Sequence, residues 1–154
     1  MARASAGIDI SAIWTAASIV VGFSVGAFGF RLKREIDMRA AGEPYWLPRA
    51  DFVLLLSLAI VLIGVFVLPV LGAGTSFARY SLGWAFLLLA GYPFALAGHY
   101  DLLLGKVPES VRAKRERPPS AGGGFPYRTG QETVVLILLT VATVGYWLAV
   151  ILSS

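Results

Sequence analysis

The chain has 154 residues, of which 57% are hydrophobic and only 14% charged, with a mean hydropathy of +0.75. Soluble domains are about 25% charged, so a water-exposed globule of this length would lack the polar groups to cover its surface. Cysteine is absent, which excludes disulfides, thiolate metal sites and cysteine nucleophiles, and the net charge of +4 sits beside apolar runs, a pattern of membrane topology and not of nucleic-acid binding.

Four runs free of Asp, Glu, Lys and Arg follow in chain order, at 10–30, 52–78, 80–98 and 133–154. A helix needs roughly 20 apolar residues to cross about 30 Å of hydrocarbon. Helix also satisfies every backbone polar group within one segment, as hydrocarbon requires. The short alternating segments of a transmembrane barrel do not occur. The expected fold class is therefore all-α, an integral membrane four-helix bundle of two transmembrane hairpins. It forms one domain over 1–154, with spans at about 10–30, 52–72, 80–98 and 133–152. The first run is too long for a cleaved signal peptide and is followed by charge, so it is expected to stay in the mature chain.

Orientation follows from the connections. Residues 31–51 carry Arg31, Lys33, Arg34, Arg39 and Arg49, and residues 101–132 carry Lys106, Arg112, Lys114, Arg115, Arg117 and Arg128. Of the 13 Lys and Arg residues only Arg3 and Arg79 lie elsewhere. The positive-inside rule puts these two loops in the cytoplasm and both termini outside it, in a cell inner (plasma) membrane. Trp14, Tyr80, Trp84, Tyr146 and Trp147 map to the outer ends of spans, and Tyr45, Trp46, Tyr100 and Tyr127 to the inner ends, as two aromatic belts.

The first connection starts as helix. Residues 31–41 have no breaker and carry i,i+4 pairs Lys33/Asp37 and Glu35/Arg39, with Leu32 and Ile36 as a contact stripe, before Gly42 and Pro44 end it. The second connection reads as a basic surface helix over 108–117, a Pro/Gly linker over 118–124, and a Thr129/Glu132 capping box for helix 4.

Small residues mark the expected packing seams: Ser18, Gly22, Gly26 and Gly29 in helix 1, Gly91 and Ala95 in helix 3, and Gly145 and Ala149 in helix 4. These join helices within one chain or between subunits. Helix 2, rich in Leu, Ile and Val, is expected to present much of the lipid face.

Two polar patterns are candidates for function. Ser24, Ser57, Tyr92 and Thr140 share a depth of roughly 10 Å from the inner boundary and form an expected polar layer centred on Tyr92, beside Pro93. The plainer reading of that layer is interhelical hydrogen bonding. His99, Tyr100 and Asp101 end helix 3, at the height of Arg31, Arg49, Asp51, Arg128 and Glu132. That ring offers Arg31, Arg49, His99, Asp101 and Arg128 as lipid headgroup contacts, or an ordinary set of interfacial anchors. The sequence has no P-loop, G-x-S-x-G, H-E-x-x-H or Rossmann fingerprint, and no catalytic, cofactor-binding or metal-ligating residue is assigned. No charged residue lies deep in a span, which argues against an ion-coupled pump. The four-span layout is similar to that of several small families, among them the small multidrug transporters, but the glutamate that defines that family in the first span is absent.

The functional expectation is a non-enzymatic accessory or scaffold subunit of a larger membrane assembly, in contact with lipids and with other subunits or further copies of itself. The alternative is a homo-oligomeric channel or facilitator built on the Tyr92 layer. An enzyme acting on lipid through His99 and Asp101 ranks third.

Overall fold

The computed structural model describes residues 9–40, 48–100, 103 and 130–153. The basic surface helix expected at 108–117, the linker at 118–124, and Tyr45, Trp46, Asp101, Tyr127, Arg128 and Thr129 lie outside these residues. The described chain is all-helical, with four helices each long and apolar enough to cross a membrane.

Helix α1 (Ile10–Ala40) begins where Asp9 accepts hydrogen bonds from the Ser11 backbone and hydroxyl, which also hold the Asp9 carboxyl below its ordinary pKa. Its 31 residues span about 46 Å at 1.5 Å per residue. That exceeds the hydrocarbon thickness, so its last turns project past the bundle with Leu32 and Ile36 exposed.

Helix α2 (Arg49–Val70) contains a π-helical stretch, Leu62–Val67, in which the Leu68 N–H reaches back to the Ile63 carbonyl. The wide turn lies directly before Pro69, whose ring would clash with the Val65 carbonyl in regular α geometry. The helix closes in a Schellman motif. Gly72, at φ +97°, donates to Pro69 at 3.1 Å, and Ala73 donates to Leu68 at 2.9 Å. Helix α3 (Thr75–His99) follows after this tight turn and α4 (Gly130–Ser153) completes the bundle.

Helix α3 is the hub. It packs broadly on α2 and α4, while α1 lies mainly on α2 and touches α3 more lightly. Near the Gly72 turn the core is Ile13, Ala17 and Val20 of α1 against Val61, Val65, Ala78, Leu82 and Ala85. At the other end, where the basic connections start, Ala50 and Leu54 pack on Tyr92 and Ala95.

Two expectations concern the faces of helices. Helix α2 packs between α1 and α3 yet keeps an exposed apolar face that includes Phe52, Leu56, Ile63 and Val70, as expected, and α4 is more peripheral still, with Glu132 and Leu139 alone buried. The α1 stripe Ser18, Gly22, Gly26 and Gly29 does not pack against the other described helices. All four residues are exposed, and a Cβ on any of the three glycines would meet nothing within 4 Å. Helix α1 instead packs through Ile13, Ala17, Val20, Ser24 and Arg31. Apolar content does not distinguish a buried face from an outer one when the surroundings are as apolar as the core.

The α3–α4 seam uses the expected Gly91 and adds Gly83 and Gly98. Gly98, Gly91 and Gly83 of α3 lie opposite Glu132, Leu139 and Tyr146 of α4. A Cβ on Gly98 would lie 2.9 Å from the Glu132 backbone nitrogen, on Gly91 2.7 Å from Leu139 Cδ1, and on Gly83 2.5 Å from the Tyr146 hydroxyl oxygen. The α4 members are at heptad spacing, so an antiparallel helix meets one notch every two turns. Through the last notch the Tyr146 hydroxyl donates to the Tyr80 carbonyl at 2.7 Å, with Trp84 and Trp147 edge-to-face beside it at 5.5 Å.

Candidate functional site

The polar side chains gather where α1 leaves the bundle, α2 begins, α3 ends and α4 begins. Pro48, at the N-cap of α2, offers no side-chain hydrogen bond. The open N–H groups of that helix end need another acceptor. Glu132 of α4 supplies it: Oε1 accepts from the Arg49 N–H at 2.8 Å and the Ala50 N–H at 3.3 Å. The carboxylate also meets the positive end of the α2 dipole. On its other oxygen, His99 Nδ1 donates to Oε2 at 3.1 Å. Glu132 and His99 are 2% and 6% exposed, so the cap is shielded from water. Gly98 makes the reach possible, since any side chain there would displace the Glu132 backbone.

Beside this cap lies a second cluster. The Arg31 guanidinium is buried and spends every edge: Nε and Nη2 face the Asp51 carboxylate at 3.4 Å each, Nη2 also donates to Glu35 at 3.1 Å, and Nη1 donates to the Tyr100 hydroxyl at 3.1 Å. The cluster thereby ties α1 to the first turn of α2 and to Tyr100, the residue that follows α3. Arg34 lies over the Tyr100 ring at 5.0 Å, and His99 packs edge-on to the same ring at 5.2 Å. Each buried ionic contact holds the bundle together while complete; losing one partner of such a pair costs about 3–5 kcal/mol.

The residues expected as headgroup contacts divide accordingly. Arg31 and His99 are buried and paired inside the bundle, so neither presents its polar edge outward. Arg49 contributes its backbone N–H to the Glu132 cap. Asp101 and Arg128 lie outside the described residues.

Of the expected polar layer, three members face the bundle interior. Ser57 donates to the Ala85 carbonyl at 2.8 Å, Tyr92 is 5% exposed within the core, and Ser24 is fully buried with no hydrogen-bond partner for its hydroxyl. Thr140 stands apart, exposed on α4 and bonded to its own helix at the Leu136 carbonyl, 2.8 Å away. Depth along a helix placed these four at one level, but their rotation about the axis decided which face they share.

One participant, Glu35, has a readable signal that also fits another partner. Glu35 pairs with Arg31, four residues back, and the same spacing also exists forward to Arg39. Tyr100, expected both in the inner aromatic belt and in the cluster that ends helix 3, is a hydrogen-bond acceptor for Arg31. Among the described residues no three His, Cys, Asp or Glu side chains converge as a metal site. The arrangement works chemically as a clip that fixes four helix ends. The chain matches no family model, no curated protein and no solved structure.

Proposed function

We propose that the protein is a non-enzymatic accessory or scaffold subunit of an inner-membrane assembly, crossing the bilayer four times with both termini outside the cytoplasm. The observation that carries this reading is the outward α1 stripe of Ser18, Gly22, Gly26 and Gly29, with open space beyond each glycine. Between helices in lipid, association is driven by close packing and interhelical hydrogen bonds, and small residues permit the approach. A stripe that the chain's own helices leave uncovered is a seat for a helix from another subunit. Gly145 and Ala149 on the peripheral α4 offer a second seat of the same kind. The buried polar groups at the basic end support the same reading, because their hydrogen bonds are directed at neighbouring helices. Purification from membranes in mild detergent tests it: a stoichiometric partner is the expected result, and recovery of free monomer alone refutes it.

The alternative is a homo-oligomeric channel or facilitator for a small solute, with the inner polar layer around Tyr92. Ser24 favours it, since a fully buried hydroxyl without a partner is costly unless something polar meets it. A closed ring by size analysis, and solute flux in liposomes that falls in Tyr92→Phe, distinguish this reading from the first.

A further inference from the structure

Between α1 and α3, on the outer face of the bundle, runs an open groove of about 560 Å³ lined by Ile19, Phe23, Phe86, Ala90, Pro93 and Tyr100 among others. From Phe86 to Tyr100 it follows about 21 Å of helix at 1.5 Å per residue. That is longer than one leaflet, about 15 Å of a 30 Å hydrocarbon core. Its lining is apolar except for two tyrosines, Tyr92 along its length and Tyr100 at the end nearest Arg34. There the Arg34 guanidinium lies 5.0 Å above the Tyr100 ring, and among the described residues Arg34 has no carboxylate partner. The neighbouring Arg31, by contrast, is already matched by Asp51 and Glu35.

We propose that this groove is a binding site for one anionic phospholipid, its acyl chain lying between α1 and α3 and its phosphate against Arg34. Three features select that occupant. The volume falls in the range of small-molecule sites, roughly 300–1,000 Å³, whereas a helix of about 10 Å diameter does not fit such a space. The chemistry is amphipathic in the right order, with a long, mostly apolar trough ending beside a cation that has no carboxylate partner among the described residues. Finally, the cation lies at the end of the bundle where the basic connections begin, so headgroup and loops share one interface. Proline inside α3 contributes locally: Pro93 lines the groove and gives no N–H to the Leu89 carbonyl, so the wall at that level is not a regular helix surface.

The inference rests on the bilayer reading of the chain, not on its role as a subunit. Its test is native mass spectrometry of protein purified in a neutral detergent and offered phosphatidylglycerol and phosphatidylcholine of equal chain length in equal amounts. The expected result is a single-lipid adduct favouring the anionic lipid about fivefold, the effect of one positive charge near a headgroup. Arg34→Gln, at an exposed position, removes the preference and keeps the adduct. Ala90→Phe, filling the trough from an exposed position, removes the adduct of both lipids. Glycerol 3-phosphate without a chain does not compete. Equal adducts in the unmodified protein, a preference that survives Arg34→Gln, or an adduct that survives Ala90→Phe overturns the proposal. So does displacement by glycerol 3-phosphate, or a second polypeptide that occupies the groove and excludes lipid. A chain that enters neither micelle nor bilayer refutes the membrane reading as well, whereas one that enters and shows no preference refutes this site alone.

Discussion

Glycine in this bundle has two opposite roles, and replacing it by alanine separates them. At Gly98 an added Cβ lies 2.9–3.0 Å from three backbone atoms of Gln131 and Glu132. Backbone cannot rotate away as a side chain can, so α3 and α4 must move apart by several tenths of an ångström. The movement stretches the Glu132 bonds to Arg49 and Ala50 and the contact with His99. Overpacking of this kind costs about 1–3 kcal/mol, and a weakened charged hydrogen bond adds about 1 kcal/mol, so Gly98→Ala should destabilise by about 2–4 kcal/mol. At Gly91 the obstruction is the end of the Leu139 side chain, which can turn, and the expected loss is about 1 kcal/mol. At Gly22, Gly26 and Gly145 the new methyl meets open space, and the better helix propensity of alanine, up to about 1 kcal/mol, makes these changes neutral or stabilising. Denaturant titration in detergent, followed by circular dichroism and tryptophan fluorescence, measures the series under one condition. A Gly98→Ala protein as stable as Gly22→Ala would refute the assignment of Gly98 as the contact that seats α4.

The Arg31–Asp51 pair gives a double-mutant test: Asp51→Ala alone should cost about 3 kcal/mol, the lower part of the range for a broken buried pair because Glu35 still faces Arg31, whereas Arg31→Met with Asp51→Leu should return to within about 1 kcal/mol of the parent; additive losses in the cycle would show the pair is uncoupled. Glu132→Gln keeps an acceptor for the α2 N-terminus but loses the charge that faces the helix dipole and His99, and a loss of about 1–2 kcal/mol is expected in the same titration; no change would mean the charge contributes nothing to the cap. Gly26→Leu should leave the isolated chain folded and release a co-purifying partner, and a partner retained in full stoichiometry would place its contact elsewhere on the bundle.

Much of the architecture was legible because its signals are local. The four apolar runs, the Pro and Gly breaks between the second and third, and the extension of α1 past Arg31 all follow from consecutive residues. The boundaries moved where charge is tolerated at a span's end: α3 begins at Thr75 and carries Arg79 within its first turns. What was illegible is rotational. Ser18, Gly22 and Gly26 look like a packing stripe, but the chain packs Ala17, Val20 and Ser24 instead, one residue or two around the helix. Hydropathy has no term to choose between them when core and lipid are equally apolar. The Glu132 cap was hidden for another reason. Its donors lie 83 and 82 residues away, and Pro48, which leaves that helix end uncapped, gives no hint of which distant carboxylate will serve.

That long reach has a consequence for how the molecule is made. Synthesis runs from the N-terminus, so α1, α2 and α3 emerge before the residue that caps α2 exists. Until the final helix has been made, the Arg49 and Ala50 amides and the His99 ring lack the carboxylate they share in the finished protein. A ribosome that stops short of residue 132 therefore releases a three-helix product in which the start of α2 and the His99 ring go without that carboxylate.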